Sequence, residues 1–191
     1  MAEPVFTVAN QLTMLRMALV PAFVLLALDR QFTWALVVFV VAGLTDALDG
    51  YVARHGNQST KLGAMLDPVA DKLLTGSAYV VMTWSSVVRC PLPTWLTVTL
   101  LFRDAMIIVG VVVVNLTVGP RDFTASRLGK FSTALILATG AAVLAANAMG
   151  ECPHALRWLH LATLVVLIAS TGQYVYQASE RPKKRTAASD A

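Results

Sequence analysis

A chain of 191 residues with 57% hydrophobic and only 14% charged residues is too apolar for an ordinary soluble domain, in which charged side chains make up roughly a quarter. That composition excludes a soluble globular enzyme and points to a protein built into a bilayer. The formal net charge of +4 is modest, and no nucleic-acid partner is expected.

A bilayer crossing takes roughly 20 apolar residues, and six such stretches lie at about 13–30, 32–54, 68–88, 94–118, 131–149 and 155–178. The expected fold is all-α: a polytopic membrane protein of six transmembrane helices, with residues 1–191 forming one domain. Ahead of the first span, VFTVANQLTMLR mixes apolar and polar positions and is expected to lie in the interface as a short lead-in. The first residues hold no basic region before an apolar core and no small-residue cleavage site, so the first span is expected to be an anchor. The last span ends in Tyr174 and Tyr176, suited to an aromatic belt, and a basic tail over 180–191 is expected to lack order and be drawn to anionic lipid.

Charge sets the expected orientation. If both termini share a side, that side carries Arg16, Arg54, Lys61, Lys72, Arg121, Arg127, Lys130, Arg181, Lys183, Lys184 and Arg185, and the other only Arg30, Arg89 and Arg157. Positive loops stay inside, so the termini and the segment between the second and third spans are expected in the cytoplasm, within the cell's inner membrane.

The second span reaches its end in a dense motif, TDALDGYVARHGNQSTKLGAMLDPVADK. Asp46 and Asp49 stand three residues apart, Asp67 and Asp71 four apart, so on helices each pair shares a face. Four carboxylates in one pocket would repel one another, which implies a divalent cation, and oxygen-only ligands favour magnesium or manganese over zinc. Asp46, Asp49, Gly50 and Ala53 form one helical stripe, half acid and half nearly bare backbone, against which a bulky ligand can lie. Arg54, just past the stripe, suits a phosphate. Gly63 relieves crowding where the chain turns back, and Asp67-Pro68 reads as the start or a kink of the next helix. Lys72 points about 100° from Asp71 and is expected to snorkel to headgroups.

Arg103 and Asp104 lie near the middle of the fourth span; neighbours in sequence do not face each other on a helix, so each calls for a partner elsewhere or a wet cavity. Between the fourth and fifth spans, Arg121, Arg127 and Lys130 form a second cationic patch on the side of the acids. Cys90 and Cys152 fall in two connections on the opposite side, where they either pair or remain free thiols. His55, His154 and His160 lack ligand spacing.

Asp46, Asp49, Gly50, Ala53, Arg54, Gly63, Asp67 and Asp71 match all eight positions of the signature of the CDP-alcohol phosphotransferases, and the chain resembles that family of membrane enzymes. NQST, LGAMLDPVADK and NQLTMLR are similar to its bacterial phosphatidylglycerophosphate synthase branch. The resemblance implies two Mg2+ or Mn2+ ions on Asp46, Asp49, Asp67 and Asp71, with Asp71 also the general base. It further implies a CDP site on Asp49, Gly50, Ala53 and Arg54, with Asn10 and Thr13 beside the nucleotide, an acceptor-phosphate site on Lys130, Arg121 and Arg127, and a homodimer.

On this resemblance the chain transfers the phosphatidyl group of CDP-diacylglycerol to sn-glycerol 3-phosphate, giving phosphatidylglycerophosphate and CMP. Two departures favour a less anionic acceptor: Val111 and Ser132 stand where that branch carries basic residues. RDAMI in the fourth span is also similar to cardiolipin synthases, whose acceptor is phosphatidylglycerol. A cation transporter, the alternative from another class, is opposed by the clustering of the acids at one end with no polar path across.

Overall fold

A computed structural model of the chain describes residues 8–56, 61–84, 86–118 and 127–180, with side chains described for 14–45, 72–84, 86–110, 113 and 127–176. Six helices follow in order: α1 Val8–Leu28, α2 Phe32–Gly56, α3 Lys61–Thr83, α4 Thr94–Val118, α5 Arg127–Met149 and α6 Ala155–Glu180. Among the described residues there is no strand. By length and composition α5 and α6 are apolar enough to cross a membrane.

Short connections make successive helices antiparallel, so the bundle has two ends. Residues 29–31, 84–93 and 150–154 gather at one, the disulfide end; the close of α2 and the openings of α1, α3 and α5 stand at the other, the motif end. α1 packs against α2 and α3, α5 against α2, α3 and α6, and α4 against α3 and α6. The core runs through Phe23, Phe39, Tyr79, Met82, Ile136 and Val143, with the Phe23 and Phe39 rings 5.8 Å apart. Gly140 makes that approach possible: a Cβ there would stand 3.0 Å from the Phe39 ring and 3.6 Å from the Met82 methyl.

Hydroxyls tie the apolar helices together, as expected where small polar groups hold helices in close contact. Tyr79 Oη donates to the Ile136 carbonyl at 2.8 Å, Thr83 and Thr97 share a hydrogen bond of 2.6 Å, and Thr139 and Thr163 one of 2.7 Å.

The element boundaries correct three expectations. Residues from Val8 onward belong to the continuous α1, so the described part of 5–16 is no separate interfacial lead-in. α3 starts at Lys61 and runs through Pro68, so Asp67-Pro68 is not the helix start and Asp71 lies in its third turn. Gly63 sits in the first turn of α3, beyond the turn between the helices.

Two helices end at the disulfide end in the same way. Gly150, at φ 72°, donates to the Asn147 carbonyl at 3.2 Å while Glu151 N reaches Ala146 O at 3.1 Å, a Schellman cap satisfying the last carbonyls of α5. Arg30, at φ 59°, does the same for α1, with Arg30 N to Ala27 O at 3.0 Å and Gln31 N to Leu26 O at 2.8 Å. A left-handed conformation costs a non-glycine residue roughly 1–2 kcal/mol. Arg30 Nη2 donates to Ser86 O at 2.8 Å, a contact available in this geometry.

Candidate functional site

Asp46, Asp49, Gly50, Ala53 and Arg54 all fall in the last three turns of α2, and Gly63, Asp67 and Asp71 in the first three of α3. Asn10 and Thr13 are in the opening turns of α1. The side chains of these ten residues lie outside the described residues, as does the whole of Arg121. Helical rise nonetheless fixes their depth. At about 1.5 Å per residue from the disulfide-end termini, Asp46 stands about 21 Å and Asp49 about 26 Å along α2, with Asp71 about 18 Å and Asp67 about 24 Å along α3. Both acid pairs therefore occupy one level of the bundle.

Arg16 belongs to that level, about 18 Å along α1. Its side chain is fully buried, at 0% exposure, on the helix that packs against both acid-bearing helices. A buried guanidinium is stable only when its charge is compensated. Burial excludes a guanidinium that snorkels to the headgroups.

One turn deeper, the described side chains form an ion network. Asp104 Oδ1 accepts from Lys72 Nζ at 2.7 Å and from Arg103 Nη1 at 3.0 Å, while Arg103 Nη2 stands 3.5 Å from Ser170 Oγ. Arg103 and Asp104 are 5% and 7% exposed. The network joins α3, α4 and α6, and its α3 member follows Asp71 directly in the chain. Two sequence expectations change here. Lys72 is held by Asp104 and does not snorkel, and Arg103 and Asp104 do meet, because a long guanidinium side chain can bend back across the 100° between successive helical positions. The network carries two cations against one carboxylate, and Arg103 Nε, though buried, has no hydrogen-bond partner.

Arg127 and Lys130 open α5 as exposed side chains. Ser132, on the next turn, is 1% exposed with its hydroxyl unpartnered, a neutral group inside the bundle. Among the described residues no three histidines, cysteines or acids come together, and the four aspartates lie outside that search. Cys90 and Cys152 form a disulfide, with Cα atoms 5.6 Å apart, which settles the choice that their sequence left open.

A strongly apolar chain, helical throughout its described elements, with two acid pairs at matched depth on two helices that both pack against α1, falls in the class of membrane-associated transferases. More particularly, the chain belongs to the CDP-alcohol phosphatidyltransferase family, whose model matches residues 6–169, and so to the transferases of phospholipid biosynthesis. It is 43% identical over 113 residues to a cardiolipin synthase (CMP-forming) of Streptomyces coelicolor, covering 56% of this chain and 51% of that protein. With the Homo sapiens cardiolipin synthase (CMP-forming) the identity is 39% over 126 residues, 65% of this chain and 40% of that one. A probable phosphatidylglycerophosphate synthase of Mycobacterium tuberculosis is 37% identical over 173 residues, 85% of this chain and 73% of that one. The chain thus spans about half the length of the cardiolipin synthases it matches.

Proposed function

We propose that the protein is a metal-dependent phosphatidyltransferase with six membrane-spanning helices in one domain, moving the phosphatidyl group of CDP-diacylglycerol to phosphatidylglycerol and releasing CMP. Each helix is 21 residues or longer, enough at about 1.5 Å per residue for a hydrocarbon core of roughly 30 Å. The motif end faces the cytoplasm in this reading, where CDP-linked substrates are found, and the protein works as a homodimer.

The donor set fits a hard divalent cation: four carboxylates on helical turns of matched depth, with no sulfur or imidazole among them. Asp46, Asp49, Asp67 and Asp71 would hold two ions, Mg2+ or Mn2+, whose chemistry is to neutralise the diphosphate and the departing CMP. Gly50 and Ala53 leave one side of α2 open to the nucleotide, Arg54 binds its phosphates, and Asn10 and Thr13 approach from α1. Asp71 takes the proton of the acceptor hydroxyl. The freed oxygen forms a bond to the phosphorus that carries diacylglycerol, the diphosphate bond breaks, and CMP leaves with the bonding pair.

The acceptor is argued from Asp104. Phosphatidylglycerol presents a phosphodiester near −1 and glycerol 3-phosphate a monoester near −2, so the second needs more uncompensated cation. Asp104 offsets one of the two charges of Lys72 and Arg103, the ion network just below Asp71, leaving it near +1, and Val111 and Ser132 add no charge. That balance, with the names of the two cardiolipin synthases above, supports phosphatidylglycerol over the acceptor that the motif text puts first. Glycerol 3-phosphate is the second reading, favoured by the longer match to the mycobacterial relative. The purified protein, given CDP-diacylglycerol, magnesium and each acceptor in turn, should yield cardiolipin by mass spectrometry. Phosphatidylglycerophosphate as the sole product would reverse the choice.

A further inference from the structure

Between the 89–95 segment and the opening turns of α6, at the disulfide end, lies a cavity of about 550 Å³. Its walls are apolar, with Trp95, Leu161 and Leu164 among them, while Arg89 and Arg157 are exposed at its edge. Neither guanidinium makes an ion pair or side-chain hydrogen bond among the described residues. His160 also lines the cavity; it is 7% exposed, and its Nε2 has no hydrogen-bond partner. The acids of this end, Asp29 and Glu151, are exposed and outside the lining.

The cavity is framed rigidly. Asn147, buried on α5, accepts from Arg89 N at 2.8 Å and Cys90 N at 2.9 Å and donates to Cys90 O at 3.1 Å and Val143 O at 2.8 Å. The Cys90–Cys152 disulfide lines the cavity, and the Schellman turn at Gly150 precedes Cys152 in the chain. All four tryptophans of the chain, Trp34, Trp84, Trp95 and Trp158, stand at this end with exposures from 42% to 73%. Indole rings gather at the level of lipid headgroups. The arginines therefore sit at headgroup height and the leucine wall runs from them toward the hydrocarbon.

We propose that this cavity binds an anionic phospholipid, its phosphodiester between Arg89 and Arg157 beside His160 and an acyl chain along Trp95, Leu161 and Leu164. Two cations without counter-ions beside an apolar wall complement a molecule that is both anionic and apolar, which a free phosphate is not. The site is separate from the acids at the motif end, and it rests on the membrane-spanning reading above.

The test uses full-length protein in phosphatidylcholine vesicles carrying a trace of photoactivatable phosphatidylserine or phosphatidylcholine, neither lipid being donor or acceptor in either reading of the activity. Cross-linked peptides are mapped by mass spectrometry. Peptides covering 89–95 and 152–164 should take up the anionic probe about tenfold more than the zwitterionic one, the ratio expected from roughly 1 kcal/mol per basic residue with imperfect contact. The Arg89→Gln, Arg157→Gln double variant should lose that preference, and Leu161→Trp, which fills the wall and keeps both arginines, should lose the labelling. Glycerophosphoserine and inorganic phosphate, which lack acyl chains, should not compete. Equal labelling by both probes, labelling unchanged in the double variant, or competition by the soluble phosphates would overturn the lipid site while leaving the membrane reading standing. Helices labelled by neither lipid would overturn both.

Discussion

At the disulfide end the chain is tied by bonds that join distant segments without pairing opposite charges: a disulfide, hydrogen bonds from Asn147 to Arg89 and Cys90 and the Arg30 contact to Ser86, with two Schellman turns closing the helices beside them. One level up from the middle, toward the motif end, the organising groups are charges: Arg16 fully buried, Asp104 bridging Lys72 and Arg103, and four aspartates on two successive helices. Charge held in an apolar bundle is costly and persists where chemistry uses it. In the proposed function, a rigid frame beneath such a level keeps helix ends in register while the charged groups bind and release substrate. Perturbing the two regions should therefore have separable effects, the disulfide end on stability and the charged level on turnover.

The largest effect is expected at the aspartates. Asp→Asn at Asp46, Asp49, Asp67 or Asp71 should lower turnover by roughly 1000-fold, and a chelator should do the same to the unaltered protein, with magnesium restoring it. The disulfide end should not notice: Cys90 and Cys152 should remain inaccessible to thiol reagents in every variant. A variant at Asp46 or Asp67 with near-normal rate in magnesium removes the metal assignment.

Asp104 sharpens the comparison because it is charged yet linked to structure. Asp104→Ala leaves Arg103 buried, and Lys72 partly buried, without their anion, and removing one partner of a buried ion pair such as Arg103–Asp104 costs about 3–5 kcal/mol. Thermal unfolding in detergent should fall steeply. The triple variant Asp104→Leu, Lys72→Met, Arg103→Met should recover much of the loss, since neutral side chains of similar volume need no counter-ion. Failure of the triple variant to recover would mean that Lys72 or Arg103 acts in more than this network.

Reduction of the disulfide should be milder. Joining residues 62 apart restricts the unfolded chain, and such links contribute about 2–4 kcal/mol. Reductant or the Cys90→Ala, Cys152→Ala variant should lower thermal stability while specific activity at 25 °C stays within about twofold, a margin set by the distance of roughly 18 Å or more along α3 from its disulfide end to Asp71. A collapse of turnover on reduction would show that the two ends are coupled.

The two regions also differ in how much of them a sequence discloses. The acid pairs follow from spacing alone, since a three- or four-residue interval fixes a shared helical face whatever surrounds it, and α4 begins and ends where its apolar run does. The extension of α3 back to Lys61 escaped because proline's bias against the preceding helical residue was overruled by the helix around it. Arg16 offers no local sign of burial: its fate depends on α1 packing against both acid-bearing helices, which is tertiary information. The meeting of Lys72 with Asp104 likewise depends on helix adjacency, not on spacing. Four tryptophans within two turns of one set of helix ends were visible as letters, and became a belt only once successive helices ran antiparallel. Glycine suits the left-handed cap that Gly150 adopts, whereas nothing local marks Arg30 for the same conformation, because its contact to Ser86 is 56 residues away.

The smallest effect is expected at Lys130, and its size discriminates between acceptors. Lys130 is exposed on the first turn of α5, beside Arg127, at the motif end. An exposed cation meeting a diester near −1 is screened by water and salt, so Lys130→Ala should raise the KM for phosphatidylglycerol only about two- to fivefold, in line with roughly 0.5–1 kcal/mol for an exposed ion pair. Were the acceptor glycerol 3-phosphate, a monoester near −2 held by charge-assisted bonds worth about 1.5–3 kcal/mol would make the same change cost tenfold or more. The KM for CDP-diacylglycerol should hold steady in either case, because in the proposed function that substrate relies on the metals and Arg54. Measured side by side on one preparation, a shallow loss with phosphatidylglycerol, flattened further by added salt, supports the acceptor argued from Asp104. A steep loss with glycerol 3-phosphate would mean that the exposed patch on α5, and not the partly compensated cations near Asp71, sets the charge of the acceptor site.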